Sequence, residues 1–160
     1  MQHNGQLAED DPLVEAVLTV SRALVAVAAR SIAAVGGDVT LPQYRALVLI
    51  AARGPQRLID LADALGVNRS TATRMCDRLV GKGLVRRSRL PNDRRTVRIS
   101  LTVDGKALVD GVTKHRRTDL ARILSHMAAE QQEAVVAALT AFAIAADEKP
   151  VLGEESVLDL

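Results

Sequence analysis

Residues 69 to 74 bring together Arg69, Ser70, Thr71, Thr73 and Arg74 within two turns of a prospective helix. Short hydroxyls let a backbone approach a surface closely and bond phosphate or base edges, and a guanidinium can fork onto the acceptors of guanine. About half to two-thirds of protein–DNA hydrogen bonds go to the backbone, so some of these side chains would position rather than read. The charge around them points the same way. From Gly66 to Arg98 the cations are Arg69, Arg74, Arg78, Lys82, Arg86, Arg87, Arg89, Arg94, Arg95 and Arg98, opposed only by Asp77 and Asp93. That segment carries about +8 in a chain whose net charge is +2, so the remainder must be acidic. Each cation that meets a phosphate releases a condensed counterion, and such a concentration is the footprint of a polyanion-binding surface. A merely solvated face in an Arg-rich chain is the alternative; it does not account for the segregation.

The elements that must position these residues follow from capping and periodicity. Asn68 is a good N-cap, its side-chain oxygen able to accept from the first helical turn. The helix then runs to about Lys82 and stops at Gly83, with Ala72, Met75, Cys76 and Leu79 at core spacing and Ser70, Thr71, Thr73, Arg74 and Arg78 on other faces. Leu84–Arg89 and Thr96–Leu101 read as two strands around a turn at Leu90-Pro91-Asn92-Asp93. Val97, Ile99 and Leu101 alternate with Arg98 and Ser100, whereas the first strand alternates poorly. Upstream, Leu58, Ile59, Leu61, Ala62 and Leu65 make a short helix, and Gly66-Val67-Asn68 turns tightly into the next, a helix-turn-helix. In that geometry the first helix braces the second, which lies in the major groove. Gln56-Arg57 can add a third short strand.

The flanks are helical. One hundred and sixty residues suit one domain, larger than a bare winged helix needs. Met1 to Asp11 read as a polar lead-in. Pro12 starts a helix expected to reach about Val35, apolar around most of its circumference, and stop at Gly36-Gly37. Glu15, Arg22 and Arg30 argue against a membrane span, so we expect a helix buried on several sides, a second copy supplying one wall. Thr40 caps a second helix ending at Gly54-Pro55, and Thr102 caps another that continues to about His126 despite Gly105 and Gly111. Glu130 to Asp147 forms the last. Its uncharged run Ala134–Ala146 is too short for a bilayer, which takes about twenty residues, and suits a protein–protein seam. The tail from Lys149 to Leu160 is acidic and mixed. One cysteine excludes an internal disulfide framework; a cytoplasmic setting without a signal peptide is expected.

Catalysis finds no support: no nucleophile elbow, phosphate loop, His-Glu-x-x-His or Cys-x-x-Cys is present. No cofactor or metal is expected. His115 and Asp119 could share a helical face, but no further ligand clusters with them. Cys76, on the packed side of its helix, reads as a small hydrophobe rather than a redox switch.

Leu61-Ala62, Gly66-Val67, Ser70-Thr71-Ala72-Thr73-Arg74, Asp77-Arg78-Leu79, Lys82-Gly83-Leu84-Val85 and Asp93-Arg94-Arg95-Thr96-Val97-Arg98-Ile99-Ser100-Leu101-Thr102 resemble, in order and spacing, the winged helix-turn-helix of MarR-type bacterial transcriptional regulators. The Asp-Arg-Arg wing running into Leu-Thr is its most specific part, and the match extends from about Leu58 to Leu108. The resemblance implies a mainly α fold with a small β-wing (α+β), a winged helix-turn-helix carrying a helical dimerisation layer. It implies one such domain over 1–160, with the layer at 12–35 and 102–147, the DNA-binding lobe at 55–101 and a tail at 148–160. It also implies a ligand-responsive homodimer, most simply a repressor, on a palindromic duplex with half-sites roughly 10 bp apart. Asn68, Arg69, Ser70, Thr71, Thr73 and Arg74 would face the major groove. In the wing, Asp93 would orient Arg95 toward the minor groove, and Arg94 would meet phosphate or solvent. A small-molecule effector would sit between lobe and layer, where Arg22, Tyr44 and Arg45 are candidate polar lining groups. Tyr44 and Phe142 are the only aromatics, so an aromatic-lined cavity is not expected, and the expectation is an aliphatic effector or none. A sequence-blind nucleoid protein and a winged helix that binds protein instead remain open.

Overall fold

Helix starts are set by side chains that accept from otherwise unpaired N–H groups. The computed structural model describes residues 9, 11–35, 38–90 and 93–148, the side chains at 90 and 93–95 excepted. Helix α1 (Pro12–Val35) opens with the Asp11 carboxylate accepting from Leu13 N at 2.8 Å, so Asp11 caps a helix rather than belonging to the lead-in. Helix α2 (Leu41–Arg53) has the expected Thr40 cap, completed by Gln43 reaching back to Thr40 N at 3.2 Å. Strand β1 (Gln56–Arg57) leads into α3 (Leu58–Leu65), which ends on Gly66 in the left-handed region at φ 65°. Helix α4 (Arg69–Gly81) starts at Asn68, whose Oδ1 accepts from Thr71 N at 2.9 Å. Strands β2 (Val85–Leu90) and β3 (Asp93–Leu101) then lead into α5 (Val103–Leu124), capped by Thr102, and α6 (Ala129–Ala145).

The sheet has the order β1-β3-β2, both pairings antiparallel. β3 begins at Asp93, three residues before the expected Thr96, because the hairpin stays paired almost to its turn, with an irregularity at Arg89/Leu90. The turn residues 91–92, Gly36-Gly37 and the tail from 149 lie outside the described residues. The fold is mainly α with a small β-wing, as the sequence implied.

The core gathers where α2, α3, α4, the sheet and α5 converge: Leu47, Leu61, Cys76, Leu79, Val85, Ile99, Val109 and Val112 are all buried. Gly105 lets α5 meet the start of the hairpin. A Cβ there would overlap the Leu84 carbonyl oxygen. Thr102 Oγ1 ties the same junction, donating to Gly83 O at 2.6 Å while accepting from Gly105 N at 3.0 Å.

The expectation that α1 is buried on several sides fails within one chain. Only Val27, Ala28, Ser31 and Ile32 are buried, because α2 and α5 cover a single side, while Leu13, Leu18, Val20, Leu24 and Val25 stay exposed. By length and composition alone α1 could cross a membrane. The turn from Val27 to Ile32 sits against protein, and Arg30 reaches Asp119 of α5 at 3.5 Å. Helix α6 buries none of its residues, and Val136, Leu139, Phe142 and Ile144 are all more than half exposed.

Candidate nucleic-acid interface

Helix α4 divides as its spacing required. Ala72, Cys76 and Leu79 are fully buried, while Arg69, Ser70, Arg74 and Arg78 are exposed and Thr71 and Thr73 half-buried. Its apolar stripe fixes the helix against the core, and the leftover face is cationic. Asn68 and the three hydroxyls are already engaged within the helix start. Asn68 Oδ1 accepts from Ser70 Oγ at 2.8 Å as well as from Thr71 N, leaving the amide nitrogen as the donor for another partner. Thr73 Oγ1 donates to Arg69 O at 2.8 Å, and Thr71 Oγ1 accepts from Arg74 at 3.4 Å. Ser70 and Thr73 therefore meet a ligand as acceptors unless those bonds break. Arg69 and Arg74 are the charged donors of the set.

The backbone of Asp93, Arg94 and Arg95 continues β3 to the hairpin end, but their side chains lie outside the described residues. Three arginines outside the expected set of contact residues flank the same surface. Arg57, at the start of α3, is turned onto Asp60 by two bonds of 2.7 Å. Arg87 of β2 pairs with Asp77 of α4 at 2.5 Å, and Arg89 follows two residues on. Register alone would have found Arg87 and Arg89, had the inward row of β2 been known.

Cys76 is buried, and burial pushes its thiol up; Arg87 opposes this across the helix–sheet seam and Asp77 adds to it. Among the described residues no group of three metal-ligating side chains occurs. Asp119 is bound instead by Arg30 and Arg122.

Of the effector candidates, Tyr44 and Arg45 line a cavity of about 450 Å³ between α1, α2 and α5, with Leu24, Val25, Val48 and Arg116. Arg116 Nε is buried, and among the described residues it has no hydrogen-bond partner. Arg45 also holds Glu148, past the end of α6, with bonds of 2.9 and 2.5 Å, which depresses that carboxylate. Arg22 does not line the cavity; it donates to Thr19 at 3.1 Å.

A family model described as the MarR family matches residues 39–97. The HTH-type transcriptional repressor MdtR of Bacillus subtilis is 34% identical over 113 residues, 69% of this chain and 73% of MdtR. The chain spans 64% of the length of the regulator YfiV of Bacillus subtilis and 58% of the length of MarR of Salmonella typhimurium. The crystal structure of RV1404 from Mycobacterium tuberculosis superposes with a TM-score of 0.84 at 43% identity, over 92% of this chain and all of that one. A cysteine-to-serine mutant of MarR from E. coli, complexed with operator DNA, superposes with a TM-score of 0.63 at 27% identity, over 82% and 93% of the two chains.

Proposed function

This chain belongs to the MarR family, and we propose that it is a transcriptional regulator, a repressor, that works by binding double-stranded operator DNA and not by catalysing a reaction. The observation that carries this reading is the two-sided α4, its stripe locked in the core and its opposite face presenting Arg69, Ser70, Arg74 and Arg78. In the complex α4 lies in the major groove with its N-terminal residues nearest the bases. Arg95, oriented by Asp93, enters the minor groove, where narrowing enhances the negative potential, and Arg94 meets phosphate.

Two copies make the reader. The exposed apolar residues of α1 and α6, including Leu18, Val25, Leu139 and Phe142, support a homodimer whose layer comprises 12–35 and 102–147 and whose lobes comprise 55–101. A two-fold dimer selects a palindromic operator with half-sites about 10 bp apart. An effector in the cavity at Tyr44, Arg45 and Arg116 would release DNA by favouring the spacing that does not fit it. Coupling of about 1–3 kcal/mol shifts affinity some 5–150-fold. The apolar walls and the buried Arg116 Nε support an anionic, largely aliphatic ligand.

A gel-shift titration against DNA from upstream of the protein's own gene, with random duplex as competitor, tests the reading. We expect two chains per duplex, a preference of about a thousandfold or more, and weaker binding with a flatter salt dependence for Arg95→Ala. Equal binding to all duplexes would make it a sequence-blind packing protein. No binding even in dilute salt would leave a protein-interaction module.

A further inference from the structure

The face of the hairpin turned toward α4 is cationic where a sheet face beside a helix is ordinarily apolar. In an antiparallel pair, directly opposed residues share a face. Val85 opposes Leu101, Arg87 opposes Ile99, and Arg89 opposes Val97. β3 keeps apolar side chains along this row, and Val85 is buried at its base, but farther out β2 carries arginines. Between the row and the first turns of α4 runs a groove of about 520 Å³, lined by Arg87, Arg89, Val97 and Ile99 of the sheet and by Arg69 and Thr73 of the helix. Asp77 partly neutralises Arg87 at 2.5 Å and holds its guanidinium toward α4. The groove thus offers guanidinium donors from two elements to something anionic and rich in oxygen acceptors.

With α4 in the major groove and the hairpin end in the adjacent minor groove, the sugar–phosphate strand that divides the two grooves must cross between helix and hairpin. We propose that this groove is a backbone cradle, in which Arg69, Arg87 and Arg89 grip the phosphodiester strand that separates the two grooves. The cradle rests on the DNA-binding reading and adds residues and a role to it. Such contacts carry no sequence information; they set the depth and angle at which α4 meets the bases.

The intact protein is titrated by fluorescence anisotropy against duplex from its own upstream region and against random duplex, at about 50 to 200 mM salt. Arg89→Ala weakens binding about five- to tenfold on both duplexes alike and lowers the log–log salt slope by about one. Arg87→Ala weakens it further, because it also leaves Asp77 uncompensated beside the strand. Arg86→Ala is the comparison, with equal charge on the same strand but the opposite face, where its Nε donates to Ser100 Oγ at 3.2 Å; its affinity and slope fall by less than half as much as those of Arg89→Ala. A loss from Arg86→Ala equal to that from Arg89→Ala means diffuse charge and overturns the cradle. Unchanged affinity and slope for Arg87→Ala and Arg89→Ala overturn it too, while wild-type binding keeps the DNA reading intact. Wild type that ignores duplex DNA removes both.

Discussion

Single side chains here are governed by what lies across the seam rather than along the helix. Cys76 shows this: its own helix supplies no cation on the packed face, yet Arg87 of β2 pulls its thiol toward ionisation, and burial still wins. Only the thiolate reacts, and a buried thiol must first be exposed by local opening. We therefore expect a thiol reagent near neutral pH to modify Cys76 on the order of a hundredfold or more slowly in the native protein than in denaturant. A comparable rate in both states, followed by absorbance, would place Cys76 in a reactive setting. Arg45 is a second case. Its position on an otherwise apolar helix singled it out, but only the fold shows that one guanidinium serves both the cavity wall and Glu148.

Between elements, the decisive feature is how closely α5 meets the hairpin. Glycine inside a helix is ordinarily a liability of about 1 kcal/mol, and from the sequence Gly105 is only tolerated. The Leu84 carbonyl shows why a side chain is excluded there: the added carbon would overlap backbone, which cannot swing aside. Gly105→Ala should therefore destabilise the protein by about 1–3 kcal/mol despite its better helix propensity, measured by denaturant unfolding. A gain in stability would mean that the α5–hairpin junction yields. The poor alternation of β2 has an equally physical origin. Its inward row leaves the core after Val85, and beyond that point Arg87 and Arg89 face a groove rather than a packed interior.

Across the whole molecule, ion pairs link segments distant in sequence. Lys82, at the end of α4, bonds both the carbonyl and the carboxylate of Asp38, before α2, and Arg45 of α2 holds Glu148. Both carboxyls are held below their ordinary range by the cation beside them. A depressed carboxyl stabilises the fold above its ordinary pKa, and that contribution fades as pH falls through the lowered value. The Glu148→Gln protein should thus be less stable than wild type at pH 7 by at most about 1 kcal/mol, since the pair is partly exposed, and the difference should shrink as pH falls below the ordinary glutamate range and be lost beneath the lowered value. A difference that persists in acid would assign the effect to packing rather than charge. The order of elements, the caps at Thr40, Asn68 and Thr102, and the two-sided α4 were legible along the chain, because these depend on neighbours within a few residues. Tertiary structure alone decided that Arg87 and Arg89 line a groove beside α4, that Gly105 is obligatory, and that Arg45 meets Glu148. Those outcomes depend on which surfaces meet after the chain doubles back, and neither hydrophobic period nor local charge encodes that.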